Sequence, residues 1–274
     1  MTACQCTKRC DNNRFVAVDP APFRFDGDGS AAVLCLHGFT STPFEVRSLG
    51  ESLQRRGFTA VGPLLPGHGT SASDLDATTW HDWSAAVLSE YQRLAARFDR
   101  VAVLGQSMGG LLALHLAAAQ PSVAAVATLA APLWLRPLAR RVVAWTRPGA
   151  WLHGRLREVR KLRGSDVADP EVKATYPSYQ TIPIQALHSL CDFMGHVEAA
   201  LPRVRQPTLV LHAHQDHTAP VGCARRIAIA TAAERLRLLD RSYHLISLDY
   251  ERDIVAEEVG SFLSRHLQAG APAA

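Results

Sequence analysis

The stretch Val101-Ala-Val-Leu-Gly-Gln-Ser-Met-Gly-Gly110, running on into apolar, alanine-rich residues 111–119, constrains this chain more than any other. Four aliphatic residues lead into Gly105-Gln106-Ser107-Met108-Gly109, after which the pattern turns helical. The serine therefore falls at a strand-to-helix turn, the context a nucleophile elbow needs. A turn that tight brings its flanks against the neighbouring strand and helix, which accounts for glycine at 105 and 109. It also pushes the Ser107 oxygen clear of the backbone. The Met108 N–H opens the new helix without an intrahelical partner and is free to meet a developing oxyanion. A serine that merely caps a helix is the competing reading; the apolar strand before it and the apolar helix after it favour the nucleophile.

Around this stretch, strand and helix patterns alternate. Residues 31–36 form a continuous apolar run, too short for a helix and bounded by Gly/Ser and His-Gly, as a buried parallel strand is. Residues 14–18 and 23–25 read as short strands before it and 58–61 as the strand after. Thr42-Pro43-Phe44-Glu45 predicts a capped helix start, with Val46, Leu49 and Leu53 on one face and Gly57 at the close. Over residues 80–98, Trp83, Val87, Tyr91 and Leu94 recur at spacings of three and four, an amphipathic helix. Further strands are expected at 123–129, 208–212 and 236–239, with helices at 221–230 and 253–266. The alternation predicts an α/β fold with a mainly parallel, doubly wound sheet, built from residues 13–132 and 201–267. At Pro132 the rhythm breaks. Residues 133–200 hold tryptophans at 134, 145 and 151 and no clean buried strand, and are expected to be a small helical cap inserted into the sheet domain. Residues 1–12 and 268–274 are expected to be flexible tails.

Composition narrows the function. A net charge of +4 is too modest to imply nucleic acid, and aromatic residues do not interleave with the basic ones. No stretch reaches about 18 uncharged apolar residues and no export signal opens the chain, so a cytoplasmic protein without membrane insertion is expected. Over residues 136–163 of this segment, Arg136, Arg140, Arg141, Arg147, Arg155, Arg157, Arg160, Lys161 and Arg163 stand against Glu158 alone. These charges form either a solvated face or a surface for anionic substrates and transient lipid contact. Of six cysteines, Cys35 reads as a small core residue. Cys4, Cys6 and Cys10 lack a fourth ligand at a recognisable spacing, so an oxidation-prone tail is favoured over a metal site.

Loops beyond the carboxyl ends of parallel strands share one edge, where distant residues converge. Ser107, Asp216 and His244 are the three expected there. Serine needs an imidazole to take its proton, and the imidazole needs a buried carboxylate to hold its tautomer. His244 alone among the 12 histidines follows the last strand and precedes the final helix. Asp240 also follows a strand, but four residues from His244 leave little room for an independent approach; Asp216 is favoured. His212, His214 and His217 cluster without a carboxylate-rich partner, so no metal is expected. His37 and His68 are expected to brace their glycine-rich loops by hydrogen bonds.

Leu36-His-Gly-Phe-Thr40, Pro66-Gly-His-Gly69, Gly105-Gln-Ser-Met-Gly109, Ala213-His-Gln-Asp216 and Ser242-Tyr-His-Leu-Ile-Ser-Leu-Asp249 together resemble the bacterial carboxylesterase and monoacylglycerol lipase family of α/β-hydrolases. The resemblance spans residues 31–267 and is weakest in the cap. It implies Ser107 as nucleophile, Asp216 as acid, His244 as base, and the backbone N–H groups of Phe39 and Met108 as the oxyanion hole. Tyr243 departs from the glycine that many relatives carry there and is expected to narrow the pocket mouth. The implied reaction is hydrolysis of small carboxylic esters through an acyl-enzyme, without cofactor or metal. Trp134, Trp145, Trp151, Leu187, Leu190, Phe193 and Met194 are expected to roof a pocket for short to medium acyl chains, monoacylglycerols among them. Thioesterase or other acyl-transfer chemistry on the same fold, and a non-catalytic binding protein, are the alternatives.

Overall fold

The computed structural model describes residues 19–152, 154–161 and 164–268. The strand expected at 14–18, the cysteine tail of residues 1–12, Arg163 and residues 269–274 lie outside them. In chain order the elements are β1 (Phe23–Phe25), β2 (Ala31–Leu36), α1 (Phe44–Gln54), β3 (Thr59–Gly62), α2 (Ala72–Asp76), α3 (Trp80–Ala95), β4 (Arg100–Gln106), α4 (Met108–Ala119) and β5 (Val126–Leu129). Next come α5 (Pro137–Thr146), β6 (Glu158–Arg160), α6 (Pro170–Thr175), β7 (Thr181–Pro183) and α7 (Ile184–Ala200). The chain then returns through β8 (Thr208–Ala213), α8 (Gly222–Ala230), β9 (Arg235–Leu239) and α9 (Arg252–Gln268).

Seven strands form one sheet in the order β1-β3-β2-β4-β5-β8-β9, every neighbouring pair parallel except β1 and β3. Side chains alternate across it with the period of two that a strand imposes. Ala32, Leu34, Leu36, Val101 and Val103 enter one core; Ala31, Val33, Cys35, Ala102 and Leu104 enter the other. Helices α3, α4, α7 and α8 close the first core, while α1 and α9 close the second. Both faces being covered, the central strands are apolar throughout, which is why they read as uninterrupted runs. The four residues spaced along α3, Trp83, Val87, Tyr91 and Leu94, are the ones it buries.

Three expectations fail locally. Thr42 does not cap α1: its hydroxyl is buried without a hydrogen-bond partner, and the helix is entered through Pro43. Glu45 cannot reach back to complete a capping box because its carboxylate is held elsewhere, by the Gly38 N–H and the Tyr176 hydroxyl. Residues 133–200 are also not purely helical. β6 and β7 pair antiparallel with Val159 opposite Ile182; three residues reading Glu-Val-Arg offer no apolar alternation to mark a strand. Of the seven apolar residues expected to roof a pocket, Leu190, Phe193 and Met194 of α7 fill the core shared with α4. Trp145 and Trp151 turn outward, 53% and 76% exposed.

Candidate active site

Parallel strands deliver their carboxyl ends to one edge, so His37 after β2, Ser107 after β4, Asp216 beyond β8 and His244 beyond β9 assemble there. Ser107 has φ 55° and ψ −118°, left-handed backbone that a serine adopts only under constraint. Its N–H is fixed 2.7 Å from the Leu129 carbonyl. The elbow tolerates no side chain at its flanks: a Cβ on Gly105 would stand 2.1 Å from the Gly109 carbonyl carbon, and one on Gly109 2.1 Å from the Leu36 oxygen.

His244 Nε2 lies 2.9 Å from Ser107 Oγ, and His244 Nδ1 lies 2.8 Å from Asp216 Oδ2. With Nδ1–H donating to the carboxylate, the Nε2 lone pair faces the serine hydroxyl. The other Asp216 oxygen accepts from the Thr218 and Ala219 N–H groups at 2.8 and 2.6 Å. Burial would raise the Asp216 pKa, but His244, His212 and the Ala219 N–H hold it below the ordinary carboxylate value. Burial likewise disfavours charge on His244. There the Asp216 charge and hydrogen bond, aided by Asp166 and Glu45, win and carry the imidazole pKa above its ordinary 6.5.

The remaining histidines sort by environment. His212 is buried, its Nε2 3.0 Å from the Ala219 carbonyl and 3.3 Å from Asp216, and burial lowers its pKa below the ordinary 6.5. His214 sits at the surface 3.6 Å from Asp240, so the rival acid faces solvent rather than His244. His217 pairs with Asp166 at 2.9 Å. His37 Nε2 accepts the Leu65 N–H at 3.1 Å, leaving Nδ1–H to donate to the Gly38 carbonyl at 2.9 Å. Ser41 N–H donates to that same carbonyl at 3.3 Å. Because a trans peptide points its C=O and N–H in opposite directions, anchoring the Gly38 carbonyl fixes the heading of the Phe39 N–H. Gly38 itself is pressed against the elbow: a Cβ there would come 3.2 Å from Ser107 Cβ. His68 Nδ1–H donates to the Pro66 carbonyl at 3.0 Å, and burial lowers its pKa to about 4.

Several site residues carried no sequence signal. Gln106 donates to the His244 carbonyl at 2.8 Å. Arg136 donates to the Asp216 carbonyl. Asp166 accepts from the His217 N–H at 3.0 Å and the Thr218 hydroxyl at 2.9 Å, while its own carbonyl accepts the Leu245 N–H at 3.1 Å. Asp166 thus holds both the loop of Asp216 and the loop of His244. Asp249, within the motif around His244, accepts four backbone N–H groups from Ala168, Asp169, Tyr243 and Tyr250.

A mostly parallel sheet with this strand order, and a serine elbow facing histidine and aspartate at its carboxyl edge, define an α/β-hydrolase. The chain belongs to the family described as serine aminopeptidase, S33, which it matches over residues 27–251. It is 33% identical over 241 residues to the thermostable monoacylglycerol lipase of Bacillus sp. (strain H-257), covering 87% of this chain and 92% of that protein. It is 31% identical over 252 residues to a carboxylesterase of Bacillus subtilis (strain 168), covering 90% and 98%. Among solved structures, that of a metagenome-derived lipolytic enzyme superposes with a TM-score of 0.81 at 30% identity, over 90% of this chain and 98% of the other. The monoacylglycerol lipase of Paleococcus ferrophilus shares the fold at a TM-score of 0.75 and 18% identity, over 89% and 98%. No helix among the described residues is long and apolar enough to cross a membrane.

Proposed function

We propose that the protein hydrolyses carboxylic esters by two acyl transfers at Ser107. The observation that carries this reading is the unbroken relay from Ser107 Oγ through His244 to Asp216 at 2.9 and 2.8 Å. His244 Nε2 takes the hydroxyl proton as Ser107 attacks the ester carbonyl, and Asp216 steadies the imidazolium. The Phe39 and Met108 N–H groups receive the oxyanion, each donor worth about 2.7–4 kcal/mol of transition-state stabilisation. The imidazolium then gives its proton to the leaving alcohol, and water repeats the cycle on the acyl-enzyme. The cycle as written uses no metal and no organic cofactor.

The substrates we assign are esters of short to medium acyl chains, monoacylglycerols included, in keeping with the names of the two Bacillus relatives. Each added methylene that the bound chain buries contributes up to about 0.8 kcal/mol of binding. Leu138 and Trp145 are exposed on α5 together with exposed Arg140 and Arg141, a surface suited to transient contact with anionic lipid. Free Cys35, Cys191 and Cys223 accord with a reducing, cytoplasmic setting.

The test is labelling by a serine-directed fluorophosphonate, run beside nitrophenyl esters of graded length and aminoacyl nitroanilides. Labelling abolished by Ser107→Ala, ester kcat/KM peaking at intermediate length with little salt dependence, and negligible anilide cleavage are expected. Turnover retained in Ser107→Ala sinks the mechanism; preference for acetate alone, or a large fall with added salt, sinks the acyl-pocket assignment.

A further inference from the structure

Glu45 has no part in the relay, yet it is 1% exposed and lies directly behind the oxyanion loop. Its carboxylate accepts the Gly38 N–H through Oε2 and the Tyr176 O–H through Oε1 at 3.0 Å. Gly38 is sandwiched: a Cβ built on it would stand 3.0 Å from Glu45 Oε2 on one side and 3.2 Å from Ser107 Cβ on the other. The peptide that supplies the Gly38 N–H is thereby pinned by Glu45, and the next peptide is pinned through its carbonyl by His37 and Ser41. The Phe39 N–H, meant for the oxyanion, hangs from this doubly anchored segment.

The partners of Glu45 come from the cap. Tyr176, donating to Glu45, stands 2.6 Å from the Ser41 hydroxyl, which can donate to it in turn, so each proton in the chain Ser41–Tyr176–Glu45 has one acceptor. Lys161 donates to the Thr40 hydroxyl at 2.6 Å, and the Tyr179 N–H to the Thr40 carbonyl at 3.1 Å. Residues 38–41 are therefore clamped between α1 below and the cap segment carrying Lys161, Tyr176 and Tyr179 above. Thr40 holds a φ of 62°, a strained value that such a clamp sustains.

We propose that Glu45 is a positioning residue for the esterase reaction: it fixes the Gly38–Phe39 segment in the geometry that receives the oxyanion, and through Tyr176 it makes that geometry depend on the docked cap. The inference rests on the proposed acyl transfer at Ser107. Charge supplies a second handle. Burial raises the Glu45 pKa, opposed by the Gly38 and Tyr176 hydrogen bonds and by His244 and Lys161. Burial lowers that of Lys161 to about 8, with Glu45 opposing it. Charged or titratable groups facing His244 are Asp216, His212, Asp166 and Glu45. An ionised Glu45 favours the imidazolium, so removing its charge lowers the pH at which His244 becomes a free base.

The experiment compares Glu45→Ala, Glu45→Gln and Tyr176→Phe with the wild-type chain. It reads kcat and KM on a nitrophenyl ester, the pH profile of kcat/KM, and the second-order rate of fluorophosphonate labelling, whose phosphonylation uses the same oxyanion hole. Glu45→Ala should lower kcat and the labelling rate about 10–100-fold with KM changed less than about 3-fold, the cost of a misplaced donor segment. Glu45→Gln keeps an acceptor for the Gly38 N–H and should restore most of that loss, while its acid limb moves to lower pH. Tyr176→Phe should fall between them. Should Glu45→Ala not fold, the Gln and Phe variants carry the test. Wild-type kcat, labelling rate and acid limb in Glu45→Gln and Tyr176→Phe, or an effect confined to KM, overturn the proposal. Failure of the ester reading is visible separately, as a wild-type enzyme that labels but turns over no ester; the ratio of variant to wild-type labelling rates still judges Glu45.

Discussion

The side-chain amide of Gln106, immediately before Ser107, donates to the backbone carbonyl of His244 at 2.8 Å. One buried bond therefore ties the elbow strand to the loop that carries the base, 138 residues away. The distance between nucleophile and base is set by backbone as well as by their own side chains. Gln106→Leu removes the donor and strands the carbonyl, a cost of about 1–3 kcal/mol. Urea denaturation should show that loss, accompanied by a several-fold fall in kcat/KM. Unchanged stability would mean that the His244 carbonyl finds another donor.

Ser107 gives a prediction that separates stability from activity. Among the described residues, a positive φ outside glycine is otherwise found at Thr40, Ala130 and Ala232. Ser107→Ala keeps the Cβ and hence the strain, and should cost at least about 10⁴-fold in ester turnover with the fold intact. Ser107→Gly should be equally inactive and more stable than Ser107→Ala by about 1 kcal/mol, because glycine adopts this conformation freely. Equal melting temperatures for the two variants would show that the elbow is not strained.

The pH profile follows from the relay. In the proposed mechanism His244 must begin each half-reaction neutral, and its pKa is raised above 6.5 by Asp216, Asp166 and Glu45 acting against burial. The group is therefore protonated, and the enzyme idle, over a pH range in which a free imidazole would already be a base. A plot of kcat/KM should fall on the acid side with an inflection above 6.5, while Asp216, held below the ordinary carboxylate range, contributes no inflection there. Asp166→Asn, which removes one of the charges favouring the imidazolium, should move that inflection to lower pH. An inflection at or below 6.5 in the wild-type enzyme would contradict the balance of burial against charge.

What the sequence made legible is what is encoded locally. The elbow, the apolar strands and the stripe along α3 each declare themselves within about a dozen residues, through glycine placement or period, and the shared carboxyl edge then gathers Ser107, Asp216 and His244. Glu45 fits a capping box by its neighbours in sequence, Thr42-Pro43-Phe44. Its actual partner, Tyr176, is 131 residues away, and a buried hydrogen bond of that span leaves no periodic trace. Trp145 and Trp151 fail for a related reason: aromatic content locates a cap but not which side of it faces the site, and both rings point to solvent. The three-residue strands β6 and β7 are set by pairing with each other, Glu158 opposite Pro183, not by any preference of their own residues.

Asp249 joins the base loop to the cap and so tests whether the two act as a unit. Its Oδ2 accepts the Ala168 and Tyr243 N–H groups, each at 2.8 Å, and its Oδ1 accepts those of Asp169 and Tyr250 at 3.0 and 2.9 Å. The side chain is fully buried, so a carboxylate meeting four donors is the one arrangement that leaves no N–H orphaned. Asparagine has nearly the same shape but turns one of the two acceptor atoms into a donor. Whichever way the amide is flipped, two backbone N–H groups then face an NH₂ group. At about 1–3 kcal/mol for each unsatisfied group, Asp249→Asn should destabilise the protein by roughly 2–6 kcal/mol. Tyr243 lies next to His244, and Ala168 and Asp169 lie beside Asp166, so loosening this knot should also displace the base and the cap segment that braces the acid loop. A fall of about 10–100-fold in kcat/KM is expected at temperatures where the variant remains folded. Asp253→Asn, at an exposed position on α9, is the matched control and should stay within about 0.5 kcal/mol of wild type. If Asp249→Asn matches that control in both stability and turnover, the cap and the base loop are held together by something other than this carboxylate.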